Sequence, residues 1–113
     1  AETYIMHLFV DGQLKGSKEN IVLQDYGQSR VLIGCDKDNG ELDDPSDFFS
    51  GLIDEVRISN VVRYNTTFTP QDFFANDENT IGLWNFEQNL NDNSIYQNNN
   101  GTIHGNPVYV ERE

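Results

Sequence analysis

Carboxylate and amide side chains crowd residues 36–47, which read DKDNGELDDPSD. Calcium takes oxygen ligands of this kind, and closely spaced carboxylates repel each other unless a cation or solvent screens them. Gly40 permits a sharp turn, but it stands one place earlier than in an EF-hand loop, and no Glu ends the segment. We therefore predict a calcium site of another kind, with a solvated acidic loop as the alternative. The candidate ligands are Asp36, Asp38, Asn39, Asp43, Asp44 and Asp47.

Two adjacent carboxylates, Asp54 and Glu55, suggest glycoside hydrolysis. A hydrolase of that kind needs two carboxyl groups facing one cleft, about 5–10 Å apart. Residues 48–59 are predicted to form a strand, and neighbours on a strand point to opposite faces. We therefore expect no catalytic pair and no enzymatic activity. An ion pair between Glu55 and Arg57, which share a face of that strand, is expected instead.

The net charge of −12 comes from 19 acidic and 7 basic residues. Nucleic-acid binding is disfavoured, because neutralising phosphates requires a basic face. Cys35 is the sole cysteine, so neither an intrachain disulfide nor a cysteine-based zinc site can form. No apolar run is long enough to insert into a membrane. His7 and His104 lie far apart without a nucleophile signature, and we expect structural roles for both.

Short segments rich in β-branched and aromatic residues alternate with Gly, Asn and Asp, a pattern typical of strands and turns. The first strand is predicted to end in the hairpin turn Asp11-Gly12, and Thr69-Pro70 predicts one short helical turn. Seven or more short strands without a long helical period predict an all-β fold, an antiparallel β-sandwich of the jelly-roll kind. The predicted strands cover residues 3–11, 14–16, 20–24, 30–35, 48–59, 80–86, 102–104 and 108–111.

Three segments together resemble one family. Residues 9–12, FVDG, are similar to the hairpin YVDG of laminin-G-like, concanavalin A-like lectin/glucanase domains. Residues 49–60, FSGLIDEVRISN, resemble the late strand FxGxIDEVRI of that family, and this match is the specific one. Residues 83–102, with LWNF followed by DNS and NNNGT, are similar to the family's WxF…DSSGNxNxGT. The resemblance covers nearly the whole chain and implies the sandwich fold.

The order of these segments is unusual for the family, because the WxF segment commonly opens a domain and here follows the late strand. The resemblance implies that residues 1–76 hold the back half of one sandwich. Residues 77–113 either complete that sandwich or open a further copy. An incomplete sandwich has unpaired sheet edges. We therefore predict that another chain, or another copy of this one, completes the sheets.

Lectin sandwiches of this kind bind sugars with exposed aromatic rings, assisted by Asp and Asn side chains. Four aromatic residues in or beside loops are candidates for this role, and packing beneath the loops is the alternative. Trp84 is expected in the core. Similar Asp-containing loops in some relatives hold calcium or fix a turn, which makes Asp92 a candidate metal ligand. The aromatic candidates are Tyr26, Phe48, Tyr64 and Tyr96.

The resemblance implies a non-catalytic module, extracellular or on a cell surface, that binds a glycan or mediates adhesion to an extracellular protein. Calcium would stabilise its loops. A structural subunit, whose sheet edges pair between chains to build a fibre, sheath or particle surface, is a second class. An accessory domain of a polysaccharide-degrading enzyme or of a phage structural protein is a third. Fold alone does not choose among them, because one fold serves many ligands.

Overall fold

The computed structural model describes residues 2–25, 30–37 and 45–111. These residues form six strands and no helix, so they contain no helical membrane span. The strands pair as three two-stranded antiparallel sheets, which confirms the predicted all-β class. The pairs are β1 (Tyr4–Val10) with β2 (Gln13–Ile21), β3 (Asp36–Lys37) with β4 (Pro45–Ser46), and β5 (Val56–Ser59) with β6 (Thr80–Trp84).

The chain forms two compact units. The first comprises residues 1–29 and 61–72 and contains β1 and β2. The second comprises residues 30–60 and 73–113 and contains the other four strands. The predicted domain division into residues 1–76 and 77–113 stays a prediction.

The first unit is built on the β1–β2 hairpin, which turns at Asp11 and Gly12 as predicted. Both turn residues have positive φ, 53° and 78°, the backbone region that favours an Asp-Gly pair in a two-residue hairpin. β2 is longer than the predicted return strand. Its pairing with β1 shifts register twice, so the ladder contains two irregularities.

Aromatic rings from the segment 61–72 pack on the hairpin. Phe68 lies edge-on to Phe9, with ring centroids 5.4 Å apart. Tyr64 stacks on Phe68, with ring centroids 3.6 Å apart and the two rings nearly parallel. A hairpin of two strands alone is only marginally stable in water. These ring contacts stabilise it because they bury apolar surface on one of its faces.

The same segment approaches the hairpin turn through its backbone. The Phe68 amide donates a hydrogen bond to the Gly12 carbonyl at 2.9 Å, and Pro70 lies against the same glycine. The predicted helical turn at Thr69-Pro70 is wrong, since these residues form no helix. Contact with the hairpin, rather than a local helical cap, determines their conformation.

The core of the second unit lies at β6. Leu83 and Trp84 are 2% and 9% exposed, which confirms the predicted core position of the tryptophan. β6 pairs with β5, where Val56 lies opposite Trp84 and Ile58 opposite Gly82. Strand β5 begins at Val56 rather than at residue 48, because Glu55 has a left-handed backbone with φ of 55° that cannot continue a strand.

Three of the predicted strands, at residues 30–35, 102–104 and 108–111, are not present in the described part of the chain. The strand predicted at residues 20–24 does not form separately either, because Asn20 and Ile21 are the end of β2. Most apolar side chains of these segments remain exposed, and Val108 has 81% of its surface accessible. A β-prone segment forms a strand when it has a neighbour to pair with, and local propensity does not supply that neighbour. The strand prediction failed there for this reason.

Replacing Gly12 with Ala should destabilise the first unit by about 2–4 kcal/mol. The added Cβ would overlap the Phe68 carbonyl, and alanine is strained at positive φ. Gly16→Ala is the matched control, because no atom lies within 4 Å of its Cβ position, and its stability should stay within about 0.5 kcal/mol of the parent. Chemical denaturation measures both, and equal stabilities for the two variants would contradict this account.

Candidate functional site

A buried carboxylate, that of Asp92, organises the loop that follows β6. Asp92 is 2% exposed. Its Oδ1 accepts hydrogen bonds from the Leu83 amide at 3.1 Å and the Ser94 amide at 2.9 Å. Its Oδ2 accepts one from the Asn99 amide at 3.2 Å. One side chain therefore joins β6 to two points of the loop.

Further hydrogen bonds close the loop around this carboxylate. The Asp92 amide donates to Asn100 Oδ1 at 2.8 Å, and the Gly101 amide donates to the Leu90 carbonyl at 2.7 Å. The indole of Trp84 donates to the Asn99 carbonyl at 3.0 Å. The loop has no regular secondary structure, so side chains and carbonyls satisfy backbone groups that a ladder would otherwise pair.

The pKa of Asp92 reflects this environment. Burial acts to raise the pKa, since it disfavours the charged carboxylate. Hydrogen bonds from Ser94, Leu83 and Asn99 favour the charged form and outweigh burial, so the pKa lies below its ordinary value. The structure thus places Asp92 as a turn-fixing acceptor, and the metal-binding role predicted for it stays a prediction.

A second cluster of carboxylates lies in the same unit. Oxygen atoms of Asp54, Glu55 and Glu87 all lie within 4.8 Å of one another, an arrangement that could hold a cation. The expectation that Asp54 and Glu55 point to opposite faces is wrong, because both precede β5 and the left-handed Glu55 redirects its side chain. Strand alternation therefore gives no argument against a carboxylate pair at this position.

Glu55 is engaged by neutral donors. Its carboxylate accepts a hydrogen bond from Asn85 Nδ2 at 2.6 Å and one from the Phe74 amide at 3.3 Å. Arg57 places its guanidinium 4.5 Å from the centroid of the Phe74 ring and donates to the Ala75 carbonyl at 3.4 Å. The predicted Glu55–Arg57 ion pair stays a prediction.

Glu55 has two neighbours, Glu87 and Asn85, that the sequence pattern does not predict. Asn85 accepts a hydrogen bond from Asn93 Nδ2 at 2.9 Å, which connects the carboxylate cluster to the loop of Asp92. No spacing rule brings such distant positions together. The pairing of β5 with β6, which the motif order did not reveal, is what does so.

The predicted calcium loop is described at its two ends. Asp36 lies in β3 opposite Ser46, and Asp47 follows β4 directly, so the short hairpin brings both exposed aspartates to its open end. Asp47 has a φ of 50°. Its predicted role and that of Asp36 stay predictions. The candidates Asp38, Asn39, Asp43 and Asp44 lie outside the described residues.

The predicted sugar-stacking residues fall into different surroundings. Phe48 is 52% exposed and its ring lies against Gly105, and Tyr96 is 51% exposed in the loop of Asp92. Tyr64 belongs to the first unit and is half-buried by its stacking on Phe68. Tyr26 lies outside the described residues.

A comparison with family models decides which family this is. The model of the concanavalin A-like lectin/glucanases superfamily matches residues 1–67, more than half of the 113 residues. The chain belongs to this superfamily. The match confirms the resemblance first seen in the hairpin and in the late strand, and the described strands fit a partial β-sandwich. Neither a search of the curated proteins nor a search of the solved structures found a match.

Membership of the superfamily supports a domain of the carbohydrate-binding type. Laminin-G-like domains are typically non-catalytic and commonly extracellular, while the superfamily also includes glucanases. The shared fold therefore leaves ligand, reaction and location to be argued from this chain's own residues.

Changing Asp92 to Asn should destabilise the second unit by about 2–4 kcal/mol at neutral pH, because an amide NH₂ would face the Asn99 donors. A carboxylate with a lowered pKa stabilises the fold above its unfolded-state pKa of about 3.9. That stability is lost as the pH falls through the lower folded-state value. The difference between parent and variant, measured by thermal unfolding, should therefore shrink in acid.

Glu78→Gln is the matched control, since it removes a carboxylate from an exposed position of the same unit. Its stability should follow that of the parent at every pH. A D92N variant as stable as the control would contradict the organising role of Asp92.

Proposed function

We propose that this chain is a non-catalytic carbohydrate-binding or adhesion module of an extracellular or cell-surface protein, with loops stabilised by calcium. The observation that carries the proposal is membership of the concanavalin A-like lectin/glucanases superfamily. The strongly acidic composition argues against nucleic acid as a ligand and is compatible with a sugar, whose hydroxyl groups donate to carboxylates and amides.

The surface of the second unit offers groups that suit a sugar. Phe48 and Tyr96 each keep about half of their surface exposed. The exposed amide run at residues 97–100 follows Tyr96 directly. Aromatic rings provide apolar faces for the C–H side of a pyranose, and amides supply both donors and acceptors for its hydroxyls.

The non-catalytic part of the proposal rests on Glu55. Its Oε2 accepts hydrogen bonds from Asn85 Nδ2 and from the Phe74 amide, so protein donors already occupy this oxygen. A catalytic carboxyl group must instead face the glycosidic bond in an open cleft. Glu55 therefore suits a structural role between β6 and the segment before β5 better than proton donation to a glycosidic oxygen.

Calcium is proposed at the open end of the β3–β4 hairpin. Asp36 lies at that end of the hairpin and Asp47 follows β4 directly, both are exposed, and calcium takes its ligands from such oxygens. The repulsion between neighbouring carboxylates would be relieved by a divalent cation. A structural ion at this position would fix the hairpin that precedes Phe48.

Phe48→Ala and Tyr96→Ala should each weaken glycan binding about tenfold, the loss expected when one stacking ring is removed. A glycan array with the parent chain identifies the sugar, and titration calorimetry with that sugar then compares the variants. Phe73→Ala is the matched control, because Phe73 is 60% exposed in the same unit and lies outside the predicted set. An array without any binder, or equal losses for all three variants, would contradict the proposal.

Calcium should raise the melting temperature of the parent chain, and chelation should lower it, because an ion bound to the native state stabilises that state. Asp36→Asn combined with Asp47→Asn should abolish the calcium response. Glu87→Gln serves as the control for the separate carboxylate cluster. Loss of the response in E87Q and its retention in the double variant would move the ion to Asp54, Glu55 and Glu87.

The second candidate is a structural subunit that assembles through sheet edges. The observation that favours it is the exposed apolar surface of β1, where Ile5, Met6 and Leu8 are 59%, 58% and 62% exposed. A two-stranded hairpin with such a surface is marginal alone and gains stability from further strands. Another copy or another chain would supply them.

A further inference from the structure

The outer edge of β1 is unprotected. Among the residues that the structure describes, β1 pairs with β2 alone, which leaves the backbone groups of its other edge without a strand. The strand reads YIMHLFV, without proline, glycine, lysine or a carboxylate. Natural sheet edges are usually protected by charges, prolines or bulges. β1 has none of these protections over its seven residues.

β2 presents the opposite kind of edge. Between the pairs Tyr4↔Ile21 and Met6↔Lys18, β2 advances three residues while β1 advances two. The same happens between the pairs Leu8↔Gly16 and Phe9↔Leu14, where β2 advances two residues while β1 advances one. Both extra residues lie in β2, which also carries Lys15, Lys18 and Glu19. β1 is therefore the regular, pairing-competent strand of the hairpin.

The sequence of β1 is self-complementary about its central residue, His7. Consider two copies paired antiparallel about a two-fold axis at His7. Each of the six remaining residues of β1 then lies opposite an apolar residue of the other copy. Aromatic residues then meet β-branched ones at two positions, a combination that stabilises antiparallel sheets. The resulting pairs are Tyr4 with Val10, Ile5 with Phe9, Met6 with Leu8, and His7 with itself.

β1 is a stretch of this acidic chain where a second copy meets few carboxylates. The chain carries a net charge of −12, so most contacts between two copies bring carboxylates together. The flanking acids of β1 do not oppose each other in this register, since Glu2 falls opposite Gly12 and Asp11 opposite Thr3. The paired strands themselves therefore bring no carboxylates directly opposite each other, and Glu2 and Asp11 of different copies approach only at the two ends of the contact, one position apart.

We propose that two copies of this chain pair through β1 in this register and form a continuous four-stranded sheet of order β2-β1-β1-β2. This inference rests on the proposed sheet-edge assembly and specifies its strand, partner and register. The contact is small, so the dimer is weak and concentration-dependent. Its apolar face joins Tyr4, Met6, Leu8 and Val10 of both copies.

His7→Lys tests the register, because it places two ammonium groups opposite each other at the two-fold axis. Ser17→Lys is the matched control. Ser17 lies across the same rung of the hairpin, and either variant removes the 2.6 Å contact between His7 Nδ1 and Ser17 Oγ. Sedimentation should show a concentration-dependent dimer for the parent chain and S17K. The dimer of H7K should be weakened at least about fivefold.

Cysteine crosslinking tests the same register independently, in a Cys35→Ser background. His7→Cys should form a covalent dimer under mild oxidation, since directly opposed residues have Cβ atoms about 4.5–5.5 Å apart. Ile5→Cys should not, because its counterpart in the second copy would lie about 13 Å away along the strand.

Two results together would overturn this inference: equal dimer affinities for H7K and S17K, and no crosslink in the His7→Cys variant. They would leave assembly through another edge intact. A parent chain that stays monomeric at every concentration would overturn both the inference and the sheet-edge proposal. Glycan binding is measured separately and depends on neither outcome.

Discussion

The carboxylate of Asp92 is the interaction on which the second unit depends. A charge at a 2% exposed position is costly unless its lone pairs are satisfied, and three backbone amides satisfy them here. Those amides belong to β6 and to the loop after it, so one acceptor fixes the loop conformation against the strand. The same loop presents Tyr96 and the amide run of the proposed sugar surface, whose shape is thereby linked to a single buried group.

Much of the fold could be predicted because it is encoded locally. The β-branched and aromatic residues of β1 and the Asp11-Gly12 turn specify a hairpin without reference to distant residues, and Trp84 within an apolar run indicates core. The family pattern adds the sandwich class. Strands whose existence requires a partner, such as that expected at residues 108–111, could not be predicted from β-propensity alone.

The carboxylate cluster could not be predicted for a different reason. The left-handed backbone at Glu55 ends the strand pattern one residue before β5, and the periodicity of the sequence carries no sign of a single positive φ at a non-glycine residue. Glu87 joins the cluster through the pairing of β5 with β6, which is a long-range contact. The candidate calcium loop is an intermediate case. Its acidic composition is evident from the sequence, whereas, of its candidate ligands, the structure describes Asp36 and Asp47 alone.

The unequal edges of the first hairpin have a consequence for the size of any assembly. When two unprotected β1 edges pair, both outer strands of the new sheet are β2, with its extra residues, lysines and glutamate. In this four-stranded sheet neither outer strand is unprotected, so growth through this sheet stops at a closed pair instead of continuing into an open-ended filament. An unprotected strand beside a protected one thus limits how many copies can join through this hairpin.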